Sequence, residues 1–158
     1  TRDRASPPRR LPESAIISSP FLAISALVGG YAAPIASGPN TVTASSRRFL
    51  FLQGPHGPWF HRLAGILRAA GAEVWRVGFN LGDRVFWPGP GYIAFKDAPD
   101  RWPDTCGTLM DRHGITDLVL YGDTRGIHAE AAAIARARGL TVHVFEEGYL
   151  RPYWVTYE

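Results

Sequence analysis

With 158 residues, 46% of them hydrophobic and 20% charged, the chain has room for one ordinary globular domain and not for two. The formal charge of +3 is unevenly placed: residues 1–48 hold six Arg against Asp3 and Glu13, while residues 49–158 are slightly acidic, which excludes the Lys/Arg stripe of a nucleic-acid-binding fold. Cys106 is the only cysteine, so an intrachain disulfide framework and a cysteine zinc cluster are excluded too.

Residues 1–47 are expected to be a disordered or loosely packed leader. They open on Ser6-Pro7-Pro8-Arg9-Arg10 and close on small polar residues from Ser37 to Ser46. The apolar run between them, Phe21 to Ala36, is broken by Gly29-Gly30 and Pro34 and falls short of the ~20 residues that a spanning helix needs. A basic stretch, a short apolar run and small residues imitate a signal peptide. A basic tail beside a near-neutral domain also fits contact with anionic lipid. The chain starts at Thr1 and stops at Glu158 just after an apolar run, so it is expected to be a piece of a longer protein.

From residue 48 the periodicities sharpen. Phe49-Leu50-Phe51-Leu52 is a continuous apolar run, as in a strand covered on both faces. Gly54-Pro55-His56-Gly57 breaks it, and Pro58 marks a helix start. Trp59, Leu63, Ile66 and Leu67 recur at helical spacing up to Gly71. A second strand is predicted over Val74–Phe79. A Gly-, Pro- and aromatic-rich stretch follows, with a short strand at Tyr92–Phe95. Further on, the pattern gives a helix over Pro103–Arg112, a strand over Asp117–Tyr121, an Ala-rich helix over Gly126–Arg138 and a strand over Thr141–Phe145. Strands alternating with helices point to parallel βαβ units with right-handed crossovers. The fold class is thus α/β, a Rossmann-like parallel sheet with flanking helices over residues 48–158.

In such sheets ligands bind beyond the carboxyl ends of the strands. Each predicted strand ends there in a polar cluster: Gln53-Gly54-Pro55-His56-Gly57, Asn80-Leu81-Gly82-Asp83-Arg84, Gly122-Asp123-Thr124-Arg125 with His128 one turn on, and Glu146-Glu147-Gly148-Tyr149-Leu150-Arg151. Each also has a plainer reading. Gly54 and Gly57 serve a strand-to-helix turn, and Asn80 to Asp83 make a turn of their own. Asp123 caps the helix near Gly126. His61 and His143 are packing or surface residues. Phe86, Trp87 and Trp102 are either core or a platform for a sugar. Adjacent Glu146 and Glu147 repel unless a cation or a function uses them, with Arg125 and Arg151 as natural partners. The first loop lacks Gly-x-Gly-x-x-Gly, against a dinucleotide site, but its free amides suit an anion.

Four stretches together resemble the capsular polysaccharide biosynthesis/export proteins of the KpsS and KpsC type. They are Leu50 to Phe60, Phe79 to Arg84, Tyr121 to His128, and Phe145 to Pro152, in the right order and spacing. The likeness covers about residues 48 to 158. It departs from familiar members at Leu81, where they carry Gly, and at Thr124 and Gly126, where they carry Cys and Pro. The resemblance implies a retaining β-Kdo glycosyltransferase with two Rossmann-like lobes (GT-B-like), of which this chain is the first. It implies CMP-Kdo as donor substrate, a phosphatidylglycerol-linked acceptor and no further cofactor or metal. It also implies a cytoplasmic location on the inner face of the membrane, beside capsule assembly proteins.

On that reading Asp123 is the principal catalytic carboxylate and His128 its base or orienter, with Glu146 and Glu147 as runners-up. Gln53, Gly54, His56, Gly57, Asn80, Asp83, Arg125, Tyr149 and Arg151 are the expected substrate contacts, with Arg125 and Arg151 pairing a carboxylate or phosphate in bidentate fashion. Two rivals stay open. One is a non-catalytic capsule assembly or export component that binds lipid-linked saccharide. The other is a nucleotide- or phosphosugar-binding module of another pathway.

Overall fold

Alternation along the strands decides which helix covers which face. The computed structural model describes Ile16–Ile17, residues 47–147 and Val155–Tyr157. In chain order the elements are β1 (Ile16–Ile17), β2 (Arg48–Phe51), α1 (Trp59–Ala69), β3 (Glu73–Gly78), α2 (Leu81–Val85), β4 (Tyr92–Ala94), α3 (Trp102–His113), β5 (Asp117–Tyr121), α4 (Gly126–Ala137), β6 (Thr141–Glu147) and β7 (Val155–Tyr157). Of the expected leader, only Ile16–Ile17 and Arg47 belong to the described residues.

The sheet order is β1-β7-β6-β5-β2-β3-β4. The five strands from β6 to β4 are all parallel, while β7 runs antiparallel to β6 and β1 antiparallel to β7. This is the α/β, Rossmann-like sheet with flanking helices that the sequence predicts. Taken by themselves, the parallel strands lie in the doubly wound order, in which the chain moves outward from β2 to β4 and then crosses back to β5 and β6. The reversal falls between β2 and β5.

Phe49, Phe51, Val74, Val119 and Phe145 point to one face and pack against Phe60, Leu63, Ala64 and Leu67 of α1 and against Trp87. Leu50, Leu52, Val77, Leu118, Leu120 and Val144 point to the other, against Trp102, Cys106, Leu109 and Met110 of α3 and the Ala131, Ala132 and Ala135 stripe of α4. Fully burying one such Leu or Phe contributes about 1.5–3 kcal/mol. Both faces are covered, which is why the strands read as continuous apolar runs. Trp87 and Trp102 are fully buried and belong to the core. The Cys106 thiol, buried with them, is pushed up to about 12 and is inert as a nucleophile.

At the amino edge of the sheet a polar network ties four segments together. Asp117 is buried and pairs with Arg47, accepts from Thr116 Oγ1 at 2.6 Å and meets His143 Nε2 at 2.8 Å. His143 Nδ1 lies 2.7 Å from the Tyr157 hydroxyl. An ionised Asp117 accepts, so Nε2 carries the proton and Nδ1 accepts from Tyr157. Burial pushes the Asp117 carboxyl up, but the bonds from His143, Arg47 and Thr116 outweigh it and hold it below the usual carboxylate range.

Candidate functional site

The carboxyl edge is built loop by loop. After β2 the backbone turns close over α1: a Cβ on Gly54 would stand 2.4 Å from the Phe60 ring, so only glycine lets this loop lie against that core aromatic. Gln53, Gly54 and Gly57 are half-buried and His56 is exposed.

After β3, Asn80 starts α2 by accepting the Asp83 N–H at 3.0 Å. Asp83 is buried and spends both carboxylate oxygens internally, one on Arg76 Nη2 at 3.0 Å and one on the Phe79 N–H at 2.9 Å. The second cluster is therefore a short capped helix anchored to the sheet. Asp83 fixes its shape from beneath, and the exposed Asn80 stays at the surface.

After β5, Gly122 takes a positive φ of 69°, a left-handed turn that a side chain would strain, while its N–H bonds the Phe145 carbonyl at 2.8 Å. Asp123 follows, half-buried, and its carboxylate has no hydrogen-bond partner among the described residues. The cap position of α4 is Arg125, and no side chain caps there, so Asp123 does not cap the helix. Arg125 reaches across the reversal instead: its Nη1 donates to Gln53 Oε1 at 2.8 Å. That bond joins the loops after β2 and β5, the pair at the switch point where doubly wound sheets hold ligands.

His128 lies beneath this loop and is fully buried. Its Nδ1 stands 2.7 Å from the Gly122 carbonyl, so Nδ1 carries the proton and Nε2 a lone pair, which has no partner among the described residues. Burial lowers the His128 pKa, the Arg125 charge lowers it further, and the Gly122 bond and the Asp83 charge pull the other way. The ring is thus neutral and holds the backbone just before Asp123.

Glu146 is exposed near the end of β6, and Glu147 is described only as the last backbone position of that strand. The expected contacts Tyr149 and Arg151 lie outside the described residues. Among the described residues no group of three or more His, Cys, Asp or Glu is placed to hold a metal ion. No helix among them is long and apolar enough to cross a membrane. One part of this edge was not singled out from sequence: Phe79, Phe95, Lys96 and Asp97 line a cavity beside the second and third clusters. The signal available was an aromatic residue directly after each of two strands.

The chain is also similar to known proteins. Residues 116–158 match the family model described as capsule polysaccharide biosynthesis protein. The capsule polysaccharide export protein KpsS of Escherichia coli is 37% identical over 118 residues, 75% of this chain and 30% of that protein. The capsule polysaccharide modification protein LipB of Neisseria meningitidis serogroup A is 40% identical over 116 residues, 72% of this chain and 28% of LipB. The likeness is thus to the capsule polysaccharide protein family. The family match contains β5, β6, Asp123, Arg125 and His128, so the third cluster, with the turn that presents Asp123, falls within the matched segment. The chain spans less than a third of the length of the curated relatives it matches. No solved structure matches it significantly.

Proposed function

We propose that this chain is the first lobe of a glycosyltransferase that moves Kdo from CMP-Kdo to a phosphatidylglycerol-linked acceptor with retention, building the lipid linker of a capsule. The observation that carries the proposal is Asp123, a carboxylate without a partner among the described residues, on a glycine turn at the switch point. Retention needs a carboxylate on the face opposite the leaving group, or front-face attack within an ion pair. Asp123 is the group assigned to stabilise or trap the sugar as its bond to the CMP phosphate breaks. The electron pair leaves with CMP; the acceptor hydroxyl then attacks the anomeric carbon, the bond to Asp123 breaks where one has formed, and the hydroxyl proton passes to a carboxylate of the site, Glu146 or Glu147.

For His128, burial and the Gly122 bond support the orienting role over that of a base in contact with solvent. Arg125, exposed and already spanning the two loops, is assigned to the Kdo carboxylate or a phosphate, together with Arg151. Glu146 and Glu147 remain the alternative carboxylates, and Gln53, Gly54, His56, Gly57, Asn80 and Tyr149 the surrounding contacts. Asp83 shapes the edge from below. The protein would work at the cytoplasmic face of the membrane with capsule assembly proteins.

The test is to incubate the full-length protein with CMP-Kdo and a phosphatidylglycerol acceptor. CMP release together with a lipid heavier by one Kdo is the expected result. The name of one relative, an export protein, favours a second reading, a component that binds lipid-linked saccharide without chemistry. Binding of that saccharide with no CMP release would select it.

A further inference from the structure

Between the ends of β3 and β4 and the first turns of α3 and α4 lies a cavity of about 500 Å³, within the range of small-molecule sites. Its apolar wall is Phe79, Phe95, Trp102 and Ile127, and its charged groups are Lys96 and Asp97. The three rings pack against one another, Phe79–Trp102 at 4.9 Å, Phe95–Trp102 at 5.3 Å and Phe79–Phe95 at 5.6 Å. Trp102 is fully buried and donates Nε1–H to the Ile127 carbonyl at 2.9 Å, which locks α3 to the first turn of α4. That leaves Phe79 and Phe95, each partly exposed, as the ring surfaces a ligand meets. Lys96 and Asp97 are exposed and have no hydrogen-bond or ion-pair partner among the described residues.

The lining discriminates between ligand classes. An inorganic phosphate would use Lys96 and leave the rings without a role. An acyl chain would cover the rings and strip water from Asp97 with nothing in return. A sugar ring uses both parts: its C–H face lies on aromatic rings while its hydroxyls accept from an ammonium and donate to a carboxylate. The cavity also adjoins the candidate site. Ile127 lies in the turn that follows Asp123 and Arg125, next to His128, and the Phe79 N–H is the one that Asp83 holds.

We propose that this cavity seats a sugar ring of the acceptor saccharide, with Phe79 and Phe95 against its C–H face and Lys96 and Asp97 on its hydroxyls. The assignment of the ring to the acceptor rests on the transfer reading above.

Two measurements on the full-length protein test it, with Phe95→Ala and the exposed-site variant Asp97→Asn beside wild type. In saturation-transfer NMR with a lipid-free Kdo disaccharide as probe, wild type is expected to saturate the sugar protons and Phe95→Ala to lose that signal. In the transfer assay run with a phosphatidylglycerol acceptor that already bears Kdo, acceptor KM is expected to rise about tenfold in Phe95→Ala and a few-fold in Asp97→Asn, with the CMP-Kdo KM unchanged. Phe95 also packs on Trp102, so Asp97→Asn, which touches no packing, guards against a folding artefact. A probe signal absent from wild type, or equal in all three proteins, overturns the cavity assignment whether or not any Kdo is transferred. A rise confined to the CMP-Kdo KM overturns the acceptor assignment. If wild type binds the disaccharide through Phe95 but releases no CMP, the sugar site stands and the transfer reading falls.

Discussion

Asp123 sits where a helix cap is expected and does not cap. Its side chain has no partner among the described residues, so Asp123→Asn removes a charge without breaking a bond. Its melting should stay within about 0.5 kcal/mol of wild type, while CMP release falls by orders of magnitude. Normal turnover with a normal melt would move the catalytic role to Glu146 or Glu147. Arg125 is a different case, because its geometry matters as well as its charge. Arg125→Lys keeps the charge and loses both the planar fork and the reach to Gln53, so CMP-Kdo affinity should drop about tenfold in a titration. Unchanged affinity would take Arg125 out of the binding site. Residue types at this edge were legible in sequence; their partners were not. Gln53 and Arg125 are 72 positions apart, and only the strand order brings them together. The burial of His128 was equally hidden, since it depends on how closely the Ala face of α4 lies on β5.

At the scale of elements, the five parallel strands and three long helices were legible because their apolar residues recur at the spacing each structure requires. α2 was not: five residues containing Gly82 read as a turn, and what makes them helical is the Asn80 cap and the Asp83–Arg76 pair below. β6 runs two residues beyond its sequence boundary because β7 pairs with it through Glu146 and Glu147. The amino-edge network was also invisible in sequence, where His143 read as a packing or surface residue. Its Asp117 carboxyl is held low by its partners, so the network adds stability that is fully present above about pH 3.9, the ordinary Asp value, and lost as pH falls through the lower folded value. Asp117→Asn leaves Arg47 and a buried His143 N–H without that charge and should cost about 3 kcal/mol at neutral pH. Urea unfolding from pH 7 to pH 3 should show the gap between wild type and variant closing at the acid end. A gap independent of pH would mean that Asp117 acts through packing alone.

At the scale of the whole molecule, the doubly wound order puts the reversal of the chain between β2 and β5. The loops that leave those two strands are the ones joined by Arg125 and Gln53 and carrying Asp123. Sheet topology, a carboxylate unpaired among the described residues, a neutral buried His and a bridging Arg therefore coincide at one edge. The chain spans less than a third of the length of the relatives it matches; on the transfer proposal, the donor nucleotide would find most of its contacts on a second lobe. The most direct measurement is the product that the full-length protein makes from CMP-Kdo and a phosphatidylglycerol acceptor, read by mass and by NMR of the anomeric centre. One added Kdo, with the anomeric configuration it had in CMP-Kdo, is the expected product. An inverted centre, or no added Kdo, would contradict the transfer proposal.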